Sequence, residues 1–153
     1  MAKRMQLCVF AALLVCASLT GAAQDKGYWR AASSNAGEIT GDLSITNDKI
    51  TINFSSFTIA QIRPLKPAES GAVFDADPGA GGSGYLYRLN IPAQKRFLHK
   101  NTLCGSDDTE WLATYVQGRA LHVAFFSGPD MPVFTPEALA NTTDVCGTFS
   151  YSR

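Results

Sequence analysis

The chain has 153 residues, thirteen basic and thirteen acidic side chains, 46% hydrophobic residues and four cysteines. A balanced charge argues against nucleic acid or an anionic membrane as the main partner. The length sets a ceiling of one modest domain with a single core.

The first residues indicate export. Lys3 and Arg4 precede the apolar run Leu7 to Val15, and small residues follow to Ala23. This order predicts a secretory signal peptide over residues 1–23, cut before Gln24. Its apolar run is about half the ~20 residues needed to span a bilayer. No later stretch is long and apolar enough to span one, so no membrane span is expected. Val15 stands before Cys16, where a lipoprotein signal carries a small residue, which argues against acylation. Cleavage leaves a single domain over residues 24–153, with eleven basic residues (thirteen less Lys3 and Arg4) against thirteen acidic. A periplasmic or secreted location follows.

Cys8 and Cys16 leave with the leader, and Cys104 and Cys146 remain. An even pair in an oxidising compartment predicts a disulfide. Closing a loop of about 40 residues would contribute on the order of 4 kcal/mol. A metal or redox pair would call for nearby histidines or C-x-x-C spacing, and neither is present.

Along the mature chain, Gly27 to Arg30 brings the first aromatic residues, and Ser33 to Gly37 marks a turn. Ile39, Leu43 and Ile45 then alternate with polar residues, Asn47-Asp48 forms a turn, and Lys49 to Phe54 alternates again; together these predict a β-hairpin. Phe57, Ile59 and Ile62 resume the pattern less regularly up to Pro64, and Pro64 with Pro67 predicts an edge or loop. Ala72 to Phe74 reads as a short strand, and Asp75 to Gly84 as an exposed, mobile loop. Tyr85 to Ile91 is a strand. Lys95, Arg96, His99 and Lys100 form a basic cluster, read as a solvated loop.

The C-terminal third is patterned most clearly. Trp111 to Gln117 and Ala120 to Phe126 are two strands at hairpin spacing, and Val145 to Tyr151 is a closing strand. Thr135 to Leu139, with a capping threonine and a proline at the first helical position, predicts one short helical turn, the only helix expected. Seven or eight short strands with almost no helix predict an all-β fold, a small antiparallel β-barrel with one disulfide. Tyr85, Tyr87, Trp111, Tyr115 and Phe125 are expected to face inward.

The pair Gly27-x-Trp29, with Arg153 beyond the last strand, resembles the calycin signature. That resemblance implies a lipocalin-like barrel in which Arg153 packs over Trp29, a contact worth about 0.5–2 kcal/mol. The ending Cys146-Gly147-Thr148-Phe149-x-Tyr151-x-Arg153 is similar to that of a group of small exported bacterial β-barrel proteins, which implies a compartment but no chemistry. Gly81-Gly82-Ser83-Gly84-Tyr85-Leu86-Tyr87 resembles the S-G-S-G-x-x-Y motif of periplasmic inhibitors of C-type lysozyme, with Gly81 replacing the leading serine. Carried over, Ser83 and Tyr87 would enter the lysozyme cleft, with Gly84 beside them in the binding motif.

Catalytic patterns are thin. Gly82-Ser83-Gly84 lacks the remainder of a nucleophile elbow, His99 and His122 have no evident base or nucleophile partner, and Asp107, Asp108 and Glu110 cluster in a loop. Asp75-x-Asp77 has Leu86 where an EF-hand needs its twelfth-position carboxylate. The expectation is a non-enzymatic exported binding protein of the bacterial envelope without cofactor or metal, its partner a small apolar ligand or an envelope protein. The alternatives are a lysozyme inhibitor acting through Gly81 to Tyr87 and an envelope enzyme.

Overall fold

A computed structural model describes residues 24–153. The expected leader, with Cys8, Cys16 and its cleavage site, lies outside the described residues. Eight strands form a closed antiparallel barrel in which each pairs with the next: β1 Gly27–Ala31, β2 Leu43–Ile45, β3 Lys49–Ile52, β4 Ser55–Pro64, β5 Ser83–Ile91, β6 Thr109–Gln117, β7 Ala120–Phe126 and β8 Val145–Ser152. Arg30 opposite Ser152 and Ala31 opposite Tyr151 close the ring. Every strand thus has a neighbour on both sides.

Strand alternation fills the interior. Trp29, Leu43, Ile45, Ile50, Ile52 and Ile59 from the first half meet Tyr87, Leu112, Val123, Phe125, Phe149 and Tyr151 from the second, all buried. Phe125 and Phe149 meet edge to face, with ring centroids 5.7 Å apart. The Cys104–Cys146 disulfide, with Cα atoms 4.8 Å apart, ties the loop before β6 to the start of β8.

A second apolar layer lies outside the barrel, where Leu86, Trp111, Ala113, Ala124 and Phe126 on the outer side of β5–β7 pack against Leu65, Val73, Phe74, Phe134 and Leu139. The cover comes from helices α1 Pro67–Phe74 and α2 Pro136–Asn141 and their flanking loops. Trp111 and Tyr115 therefore face outward, against expectation, while Leu112, Thr114 and Val116 of β6 point in. Both faces of β6 are buried, so periodicity alone carried no information about which was inner.

The residues expected as a strand at Ala72 to Phe74 are the last turn of α1. Pro67 suits the first helical turn, and the Glu69 carboxylate accepts the Lys66 backbone N–H at 2.8 Å while pairing with both Arg63 guanidinium nitrogens at 2.7 and 2.9 Å. α2 starts where Thr135 caps it, Oγ1 accepting from the Ala138 N–H at 3.2 Å. The single helix expected is thus joined by α1, by a π-helical turn at Ala36–Thr40 that contains Ile39, and by a 3-10 turn at Leu98–Lys100.

Phe54 also departs from its pattern. Alternation groups it with the buried Ile50 and Ile52, yet it is 99% exposed. Ile52 pairs with Ser55, so Asn53-Phe54 is a two-residue hairpin turn, with φ of 45° and 64°. The chain reverses one residue before the strand would have carried Phe54 inward.

Candidate functional site

The residues singled out by the lysozyme-inhibitor resemblance lie within the barrel wall. Ser83 and Gly84 open β5, and Tyr87 follows on its inner side. Tyr87 is fully buried, and its hydroxyl donates to Asp25 Oδ2 at 2.7 Å. Thr114 Oγ1 donates to the same oxygen at 2.7 Å, and the Trp29 indole N–H donates to the Asp25 carbonyl at 2.9 Å. Lys26 Nζ donates to the Tyr87 hydroxyl at 2.9 Å and lies 3.9 Å from Asp25 Oδ1. Burial, reinforced by the Asp25 charge, raises the Tyr87 pKa well above its ordinary value. Burial lowers that of Lys26 despite the nearby carboxylate.

The N-terminal Asp25-Lys26 segment thus seals one end of the barrel with a polar cluster. Asp25 Oδ1 and Ser83 Oγ are buried and lack a hydrogen-bond partner among the described residues. At the same end, the Arg153 guanidinium lies 4.3 Å from the centre of the Trp29 ring and donates to the Lys26 carbonyl at 3.2 Å.

Packing accounts for the glycines of that motif. A Cβ on Gly82 would stand 2.3 Å from the Tyr115 hydroxyl, and one on Gly84 2.5 Å from the Thr114 carbonyl. The glycines let Tyr115 and the backbone of β6 approach β5 closely. Neither the Ser83 hydroxyl nor Tyr87 is presented to a partner outside the barrel.

The groups considered for catalysis are dispersed. His122 Nδ1 lies 3.0 Å from Ser150 Oγ, its ring flanked by Phe74 and Tyr115, and burial lowers its pKa. His99 is exposed in the 3-10 turn. Asp107, Asp108 and Glu110 border a groove with Asp144, but Asp108 accepts from the Ala93 N–H and Glu110 pairs with Arg88, which stacks on Trp111. Asp77 closes a local turn by accepting from the Gly79 N–H at 2.8 Å, and Asp75 caps α1 in the left-handed conformation. No group of three or more metal-ligating side chains converges among the described residues.

One broad part of the outside lacks the helical cover of β5–β7. On β1–β4 the outward residues are mostly small and polar, and two aromatic rings stand among them, Phe54 at the turn and Tyr28, 58% exposed, on β1. The Tyr28 hydroxyl donates to Asp42 Oδ2, and Asp42 Oδ1 accepts the Ala31 N–H at 2.9 Å. These bonds, the tyrosine's first, hold the Asp42 pKa below its ordinary value, and the same bond raises that of Tyr28. A groove of about 220 Å³ runs between the rings, bordered by Asp42, Ser44, Thr51 and Asn53. Sequence reading passed over this site because Phe54 fitted a strand. The signal was Asn53 followed by phenylalanine at a turn, where glycine is favoured.

Compared with protein-family profiles, curated proteins and solved structures, the chain shows no significant match.

Proposed function

We propose that this chain is an exported, non-catalytic binding protein of the bacterial envelope that meets its partner on the outside of the barrel, across the Tyr28–Phe54 face. The observation that carries the reading is Phe54 itself, almost wholly exposed with φ of 64°. A left-handed backbone costs a side-chain-bearing residue about 1–2 kcal/mol. Leaving a phenylalanine in water forgoes roughly another 1.5–3 kcal/mol of burial. Neither cost brings the free protein any contact, and a partner that covers the ring recovers the second.

The barrel interior supports an outer site as well. Trp29, Tyr87, Phe125 and Tyr151 occupy it, and the Tyr28–Phe54 groove opens to solvent. An apolar ligand held inside, as in a hollow lipocalin-like barrel, would have to displace these side chains. The N-terminal pattern of Lys3, Arg4 and the apolar run supports export.

Co-sedimentation of the purified protein with washed bacterial envelopes tests the proposal. Phe54→Gly and Tyr28→Ser should each lower retention at least fivefold, while Asn47→Gly, in a turn at the opposite end of the barrel, should not. Equal retention of all three variants would overturn it.

A further inference from the structure

A second groove adjoins the first and differs from it in charge. It lies where β1 meets β8, encloses about 650 Å³, and is bordered by Tyr28, Arg30, Arg119, Ser152 and Arg153. Arg30 projects outward from β1 opposite Ser152 in the ladder that closes the barrel. Arg119 sits in the β6–β7 turn, and the Arg153 N–H donates to its carbonyl at 3.1 Å. None of the three arginines forms an ion pair among the described residues. Arg153 is occupied by Trp29 and the Lys26 carbonyl, which leaves the exposed Arg30 and Arg119 without a side-chain hydrogen bond or ion pair among the described residues, although Arg30 feels the charge of Asp42.

Tyr28 is a wall of both grooves, so a single extended ligand passing over it would meet two chemistries in turn. On one side is a trough with aromatic ends, bordered by carboxylate, hydroxyl and amide side chains; on the other are two arginines without an ion pair among the described residues. A peptide strand would dock by extending a sheet edge, and on β1 only the three residues Gly27–Trp29 lack a ladder partner on the β8 side. An amphipathic helix would leave the polar side chains of Asp42, Ser44, Thr51 and Asn53 that border this groove without matching partners. A sugar chain has matching needs. The C–H face of a pyranose ring carries partial positive charge that suits the negative face of an aromatic ring, and its hydroxyls both donate and accept. Guanidinium groups bind carboxylates in fixed, often bidentate geometry. Asp42 keeps its negative charge and borders only the first groove, so the anionic groups of a ligand belong on the arginine side of Tyr28.

We infer that the two grooves form one binding track for an acidic polysaccharide, with sugar rings against Phe54 and Tyr28 and carboxylates paired with Arg30 and Arg119. This rests on the outer-face reading given above and adds the class of the partner.

Affinity electrophoresis of the purified protein tests it, with gels containing alginate (a uronic-acid polymer), neutral dextran or poly-L-glutamate. Alginate should retard the protein at least tenfold more effectively than dextran or polyglutamate. Arg30→Gln with Arg119→Gln should lower that retardation at least tenfold, and Tyr28→Ser should lower it by a similar factor. Retardation by polyglutamate equal to that by alginate would overturn the inference in favour of an acidic protein partner or a general anion surface. So would failure of alginate to bind, or binding that ignores both arginines. If alginate fails while envelope retention still depends on Phe54, the polysaccharide is refuted and the outer site stands; if both fail, both are refuted. Arg30 and Arg119 are exposed and unpaired, so their neutral replacements should fold, and an unchanged melting temperature verifies this.

Discussion

Replacing Phe54 with glycine should make the protein more stable and less functional at once. Phe54 occupies the second position of a two-residue turn with positive φ at both residues, and Asn53 before it completes the sequence context in which glycine is favoured. Relief of the left-handed strain returns about 1–2 kcal/mol. The greater freedom of glycine in the unfolded chain takes back about 0.5–1 kcal/mol. Because the ring is 99% exposed, its removal forfeits almost no buried area. The net is a gain of roughly 0.5–1 kcal/mol, which for a domain of this size raises Tm by about 2–4 °C. Urea denaturation should show a higher midpoint with an unchanged slope, since the surface exposed on unfolding barely differs. Envelope retention of the same variant should fall at least fivefold. A loss of stability above 1 kcal/mol would refute the reasoning, because it would mean that the ring makes contacts within the fold.

Other parts of the structure yield independent expectations. Tyr87→Phe removes a donor from the buried Asp25 carboxylate and should destabilise by about 1–3 kcal/mol in chemical denaturation without altering envelope retention. Replacing Cys104 and Cys146 together with serine should cost on the order of 4 kcal/mol by the same assay. The Glu69 carboxyl is held below its ordinary 4.5, first by its hydrogen bonds from Arg63. Its folded value is depressed, so its stabilising effect is complete above about pH 4.5 and disappears as pH falls through the folded value. A Glu69→Gln variant should lose stability at pH 7 and show a shallower decline than the parent between pH 5 and pH 3, followed by circular dichroism.

The barrel was legible where its strands carry one clear apolar face or an unambiguous turn. Asn47-Asp48, Gly118-Arg119 and the two late cysteines place β2–β3, β6–β7 and the disulfide directly. Legibility failed where a rule based on one buried face met two. Leu112 and Trp111 are both buried, one by the barrel and one by the outer layer, so the parity of β6 was indeterminate. Helix α1 escaped notice because Pro64 and Pro67 read as strand breakers, although Pro67 occupies the first turn of a helix and Glu69 anchors it. The candidate site was hidden for a related reason. Phe54 satisfied the alternation of Ile50 and Ile52, and only the register of Ile52 against Ser55 shows that the chain had already turned. Arg30, Arg119 and Arg153 are far apart in sequence, and closure of β8 onto β1 brings them to one groove.

The most direct test of an outward-facing binding site is a photoreactive phenylalanine analogue placed at position 54, and separately at position 47, in protein expressed and exported in living bacteria. Irradiation should give a discrete crosslinked product from position 54 and none from position 47. Products of equal yield from the two positions, or none from position 54 in a correctly folded protein, would contradict the account.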